Sequence, residues 1–582
     1  VIIRPIGFAA CKYEDGPLKT TAEHRGWRYW VFQSREQALT VWFWLTRPFA
    51  FLRGWPRLSA INRIVIAPQD LRTSDPTAAS DIYSGYFSFA GKALSSGGRS
   101  PFSLTAVPIG WSEELMGFGW LRHLRAADSA LTRANARALI DDWILLCKPS
   151  NALAWETGIT ARRLMSWISQ SPFVLEGADQ EFYKRFIKSI RKQSDYLSKF
   201  IHECRSPERR LRACIALCYV ALSSQASQRH LNRVSRQMGQ ELNRQILADG
   251  GHISRNPALL IELLADLLPL RQVYASQNIT PPQALLNAID RIGPMLRLFR
   301  HMDGNLALFN GMGATPTDLV ATLIAYQDAL AHAMENAEPS GYQRLQSGPH
   351  VLIMDCGPVP EVTYSGFAHA GCLSLEYSDG SQRLIMNCGM PMQDNDDWCS
   401  AARLTQAHST VAIGDASSAS FAPNDSVDWP RSPPLLSGSE QVSVVRGHDD
   451  VGQTLKATHD GYRRSHGIDH QRIITLCETG RLLGEDHLLI HSANRAHKMD
   501  DGYHLRFHLH PALEVSPDAS FHQVTLRGPD SRRWVFISAD VPVSVEESVI
   551  FATPDGGRRS LQLVMRGRFR ETSVMRWELR KV

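Results

Sequence analysis

The sequence is poor in the features that mark several common classes of protein. No stretch approaches twenty apolar residues without a charge, so a membrane-spanning helix is not expected. Its ten cysteines include no Cys-x-x-Cys pair and are too sparse for a disulfide scaffold, so they read as mostly free and buried. Glycine-rich stretches such as Gly311-Met-Gly313 lack the Lys and Ser/Thr of a phosphate-binding loop, and no Gly-x-Ser-x-Gly elbow presents a hydrolase nucleophile. Lysine is scarce, supplying 11 of 63 basic residues against 52 arginines. The net charge of +5 is small beside 58 acidic residues, so nucleic acid is not an expected partner.

What is present is a chain of 582 residues, 43% hydrophobic, which is too long for one compact core. Residues 1–105 mix aromatic runs (Trp27, Trp30, Trp42, Trp44, Trp55) with turn-rich segments and read as a wrapping arm with some helix. Over 106–338, apolar residues recur at three- and four-residue spacing between short polar links, predicting helices from 112–127 to 315–336. Short links reverse the chain, so successive helices pack as antiparallel pairs in an array or ring of hairpins. After the Glu338-Pro-Ser-Gly341 break, short alternating runs such as 350–354, 372–377, 472–476 and 534–538 predict an antiparallel β-sandwich over 342–582.

Several groupings carry chemistry, each beside a structural alternative. His252, Arg255 and Asn256 follow the Asp249-Gly-Gly251 link, where crowded polar side chains either project into a cavity or cap helices. Trp155, Arg162 and Arg163 combine an aromatic platform with guanidinium groups suited to an acidic sugar; alternatively Trp155 plugs a helix interface and the arginines face water. His301, Asp303 and Asn310 read as turn chemistry. Tyr462, after Asp460-Gly461, is either a spare acid or turn packing.

Three further stretches are diagnostic together. They are Gln245-Ile-Leu-Ala-Asp-Gly-Gly-His252, Phe367-Ala-His-Ala-Gly-Cys-Leu-Ser374 with Asn387-Cys-Gly389, and Ala402-Arg-Leu-Thr-Gln-Ala-His-Ser-Thr-Val411. Over roughly residues 110–480 their order and spacing resemble the heparinase II/III-like family of polysaccharide lyases. The resemblance implies an α+β multidomain chain, an N-terminal incomplete (α/α) toroid followed by a large antiparallel β-sandwich. It further implies cleavage of an acidic, uronic-acid-containing polysaccharide by β-elimination in the cleft between them.

Elimination requires neutralisation of the uronate, a base for the C5 proton and an acid for the leaving oxygen. Read from the residues that remain, the candidates for catalysis are His252, His369 and Tyr462, and those for sugar binding are Trp155, Arg162, Arg163, Arg255 and Asn256. The resemblance also implies zinc on His369, Asn387 and His408, with Asn387 standing where the family has aspartate and supplying no negative charge. Phe367 stands where the family has its catalytic histidine, no tyrosine follows the Asp-Gly-Gly link until Tyr274, and the family's Asn–His pair falls at Pro207-Glu-Arg-Arg210, which has neither. These departures leave two other readings, an inactive glycan-binding or assembly protein and a glycoside hydrolase whose carboxylates would be sought among Glu113, Glu114 and Asp303. The resemblance implies the periplasm; absence of a signal peptide would imply the cytoplasm.

Overall fold

The computed structural model describes residues 61–327, 332–392, 395–423, 433–491 and 501–582, together with the helical positions Ser34, Gln37 and Ala38. The aromatic run from Trp27 to Trp55, read as part of an arm, lies outside the described residues.

Helices come first: α1 (Pro76–Tyr83), α2 (Ile109–Gly117), α3 (Leu121–Ala127), α4 (Ala130–Leu146), α5 (Thr157–Ser169), α6 (Ser171–Leu175), α7 (Gln180–Phe200), α8 (Pro207–Ser223), α9 (Gln228–Gln245), α10 (Pro257–Ser276), α11 (Gln283–Phe299) and α12 (Thr317–Ala325). Their starts are written locally. Ser206 and Asn256 accept from the backbone N–H groups of Arg209 (3.3 Å) and Ala258 (2.9 Å), while Pro207 and Pro257 occupy first-turn positions where a missing N–H costs nothing. The α8 helix packs against α5 and α9, and α10 against α11, as expected of helical hairpins arranged in a toroid.

One predicted helix, 112–127, is two. Phe118 takes a left-handed φ of 57°, ending α2 and turning its ring into a buried aromatic cluster, 4.9 Å from Trp120 and 5.4 Å from Trp167. The predicted helix 315–336 also ends early, α12 stopping at Ala325, and Asn336–Ala337 already forms a strand.

The sandwich is built of two antiparallel sheets. One begins at the edge strand Val442–His448, passes through Gly452–His459, Ile468–Cys477 and Leu482–Ile490, and meets Val574–Lys581 at its centre. The other runs from Val543–Ile550 through Arg558–Arg568, Gly502–Leu509, Gln382–Met386, Leu375–Asp379 and His350–Asp355 to Tyr342–Ser347 and Asn336–Ala337. Alternation points Phe507, Phe536 and Trp577 inward, and Phe507 lies 4.7 Å from Trp577.

A charge is buried in that core. Asp486 accepts from Arg472 Nε (2.7 Å), His470 Nε2 (2.7 Å) and Trp577 Nε1 (3.0 Å), and Arg472 donates onward to the Leu373 and Ser409 carbonyls. Burial opposes its ionisation, but Arg472 and His470 hold the Asp486 carboxyl well below the usual range.

Candidate functional site

Two polar regions are candidates: the seam between toroid and sandwich, and the lumen of the toroid. The Asp249-Gly-Gly link brings the first sequence motif to the seam. Arg255, at a left-handed φ of 64°, reaches out of the helical domain and donates to the carbonyls of Ser340 (2.8 Å), Gly357 (3.2 Å) and Pro358 (3.0 Å). Its remaining nitrogen meets the Asp355 carboxylate, whose other oxygen accepts from Asn310 Nδ2 at 2.8 Å. The Tyr342 hydroxyl donates to the Arg255 carbonyl and accepts from Asn310, each at 2.6 Å. Arg255 is therefore an interdomain strut with its donors committed to protein.

The neighbouring predicted residues are equally engaged. His252 donates from Nε2 to Gln245 Oε1 (3.1 Å) and accepts the Ser254 N–H at Nδ1 (3.1 Å), and burial pushes its imidazole down to about 3. Asn256 caps α10. His301 contacts Ser378 and Glu376, while Asp303 accepts from Asn305 and faces Arg383.

His369 and His408 do come together, through a chain whose polarity is fixed at both ends. His408 Nδ1 can only donate to the Leu404 carbonyl (2.7 Å), so in the neutral ring Nε2 is an acceptor. His369 Nδ1 donates to it at 3.0 Å, and His369 Nε2 accepts the Gly311 N–H at 3.0 Å. Burial pushes both imidazoles down, that of His408 to about 4, which keeps the neutral forms this chain requires. Asn387 Oδ1 accepts the Ser409 N–H at 2.9 Å, and its amide nitrogen points to Glu376.

Other predicted residues lie away from the seam. Tyr462 is fully buried, donating to the Val411 carbonyl at 2.8 Å, and burial raises its phenol well above the usual range. Trp155 donates to the Cys147 carbonyl at 2.9 Å and packs 5.0 Å from Tyr196. Arg163 lies 3.9 Å over the Trp143 ring and donates to Gln193 and Met116, its guanidinium pushed down to about 9 by burial. Tyr274, at the far end of α10, is paired with Ser235 at 2.6 Å.

Arg162 has a different setting: it lines a cavity of about 740 Å³ in the toroid lumen, walled by α2, α3, α5, α8, α10 and the 69–89 segment and reached from the sandwich by Met392. Arg162 donates to Glu262 Oε2 (2.5 Å) and Asp266 Oδ1 (3.2 Å), and Arg72 meets the same oxygens at 2.8 and 2.9 Å. Burial opposes it, yet Arg72, Arg162 and Arg212 hold the Glu262 carboxyl well below the usual range. Arg209 lies between Glu113 (3.0 Å) and Glu156 (3.1 Å). The sequence offered one signal for this lumen: two acids one turn apart, Glu262 and Asp266, inside the otherwise apolar run of α10.

Residues 330–578 match the family model described as Heparinase II/III-like, C-terminal. Over 94% of the chain the fold superposes on 91% of a crystal structure of heparinase III, with a TM-score of 0.68 at 12% identity. The chain belongs to the heparinase II/III-like family. It is also 30% identical over 531 residues to FtsZ-localized protein C of Caulobacter vibrioides, covering 88% of this chain and 89% of that protein. Heparan sulfate lyase HepC from Pedobacter heparinus shares the fold with a TM-score of 0.56 at 14% identity, over 94% of this chain and 88% of the other.

Within this family member, His369, Asn387 and His408 do not fit a zinc ion. The lone pairs that would bind it, on His408 Nε2 and His369 Nε2, accept protein N–H donors, and the Asn387 oxygen does the same. Among the described residues no three His, Cys, Asp or Glu side chains are grouped as metal ligands.

Proposed function

We propose that this chain is a saccharide-binding assembly protein on the polysaccharide-lyase fold, holding a glycan in the toroid lumen without eliminating it at the seam. The observation that carries this reading is the closed chain Gly311–His369–His408–Leu404, which leaves neither imidazole a free nitrogen to take a C5 proton. His252 and Tyr462 are likewise buried and bonded, so the three groups expected to move protons act as pins. The lumen supplies what a sugar site needs: a cavity of about 740 Å³, many polar groups, and the exposed Tyr86 ring among its lining residues. The relative named FtsZ-localized protein C aligns with most of the chain, and the proposal includes recruitment alongside FtsZ.

Incubation with a broad panel of uronic-acid polysaccharides should give no rise in absorbance from unsaturated ends, while a glycan array should register binding. An absorbance rise abolished by His369→Ala would overturn the proposal, as would a protein that binds no glycan.

A further inference from the structure

Away from the lumen and the seam, the helical domain has a groove with a lining of a different kind. It holds about 800 Å³ between α9 and the 277–282 link that leads into α11. Arg236 is the single charged side chain among its lining residues, none of which is a carboxylate, and its other polar groups are carboxamides and hydroxyls.

Gln228, Asn232, Arg236 and Gln240 recur every four residues on α9, so they form one row along the helix, and all four are exposed. Gln228 Nε2 donates to Asn232 Oδ1 at 2.8 Å, which leaves Asn232 its amide N–H groups. Among the described residues the side chains of Arg236 and Gln240 have no hydrogen-bond or ion-pair partner. Beside the row the lining is apolar, from Leu231, Ile279 and Pro282, while Tyr274 is buried with its hydroxyl paired to Ser235 at 2.6 Å.

This arrangement selects a ligand by spacing. Successive members of an i, i+4 row stand about 6 Å apart, close to the roughly 6.8 Å spanned by two residues of an extended chain. In such a chain the N–H and C=O of every second residue point to the same edge, and a carboxamide answers both, because its oxygen accepts and its nitrogen donates. Arg236 only donates, so the middle of the row favours a carboxylate. Side chains on one face of the strand then lie on Leu231, Ile279 and Pro282. A sugar ring would need an exposed aromatic face, and the aromatic side chain in this lining, Tyr274, is 1% exposed.

We propose that the groove docks an extended polypeptide segment of a partner protein, its main chain bridged by Asn232 and Gln240 and one acidic side chain near its middle held by Arg236. This goes beyond the saccharide-binding reading and does not depend on it.

The test is selection of a displayed random heptapeptide library on the full chain, with the recovered peptides then titrated by fluorescence anisotropy. The recovered sequences should share an acidic residue near the middle. Asn232→Ala and Gln240→Ala combined, at exposed positions, should leave the melting temperature unchanged and weaken binding about tenfold, as the loss of two hydrogen bonds requires. Arg236→Gln should remove the preference for the acid over its amide. Methylating alternate peptide nitrogens along one edge should abolish binding, and along the other edge should not. Recovery of no peptide, unchanged affinity in the Asn232→Ala, Gln240→Ala variant, or equal effects of methylating either edge would overturn the inference, as would a neutral oligosaccharide whose binding the same substitutions remove. The lumen is unaltered in these variants, so glycan binding there stands or falls separately.

Discussion

The seam and the lumen are built from the same kinds of residue and put them to opposite uses. At the seam, Arg255, Asp355, Asn310, His369 and His408 are buried and each finds its partners in protein, so the polar groups fasten two domains together. In the lumen, Arg162, Arg72 and Glu262 are paired as well, but around a cavity of about 740 Å³ that keeps them within reach of solvent and ligand. A buried ion pair with every donor used is a rivet. An ion pair with a cavity beside it can be rearranged by what enters.

The sharpest way to break that contrast is to remove one carboxylate from each region. Asp355→Ala leaves Arg255 buried beside carbonyls without its counter-charge, and should cost about 3–5 kcal/mol. Glu262→Gln leaves Arg72 and Arg162 with Asp266 and with cavity solvent, and should cost about 1 kcal/mol. Chemical denaturation of the two variants measures both; equal losses would mean that the lumen is as dry as the seam.

Glu208 sits close to both regions, beside Ser254 of the seam link and Arg209 and Arg212 of the lumen wall, and its titration is the next largest effect. Below pH 4.5 the carboxyl is protonated in folded and unfolded chains alike and costs nothing. As pH rises the unfolded chain ionises first, so stability falls until the folded carboxyl ionises near 7. The full cost, present above that pH, is roughly 3 kcal/mol. Glu208→Gln should therefore stabilise the protein at pH 8 and match the parent near pH 4, in thermal melts across that range. A gain independent of pH would assign the effect to packing and not to charge.

Much of the scaffold was legible because its signals are local. Ser206-Pro207 and Asn256-Pro257 announce helix starts wherever the rest of the chain goes, and two-residue alternation in 350–354 or 534–538 requires only a half-buried sheet. The break at Phe118 was not legible, since the left-handed turn follows from aromatic packing against Trp120 and Trp167. The family motifs located His252, His369, Asn387 and His408 at one seam, but spacing does not reveal what their nitrogens and oxygens bond to. The lumen was least legible: Arg72 and Glu262 are 190 positions apart, and only the ring of helices brings them together. Trp155 and Arg163 show the complementary difficulty, because residue types that suit a sugar also suit a helix interface.

The smaller effects sharpen the account of the seam itself. Replacing His408 by alanine removes the acceptor of His369 Nδ1 and one of the two donors to the Leu404 carbonyl, which keeps the Ala407 N–H. Such losses of buried hydrogen bonds cost about 1–3 kcal/mol, and His408→Ala should lower the melting temperature accordingly. Against that, addition of zinc or of a chelator should leave the melting temperature of the parent unchanged, because binding an ion would first require the Gly311 and His369 donors to be stripped from the nitrogens that would ligate it. A zinc-dependent rise that disappears in His408→Ala would show that the hydrogen-bonded chain opens to form a metal centre, and would move the seam from fastening to chemistry.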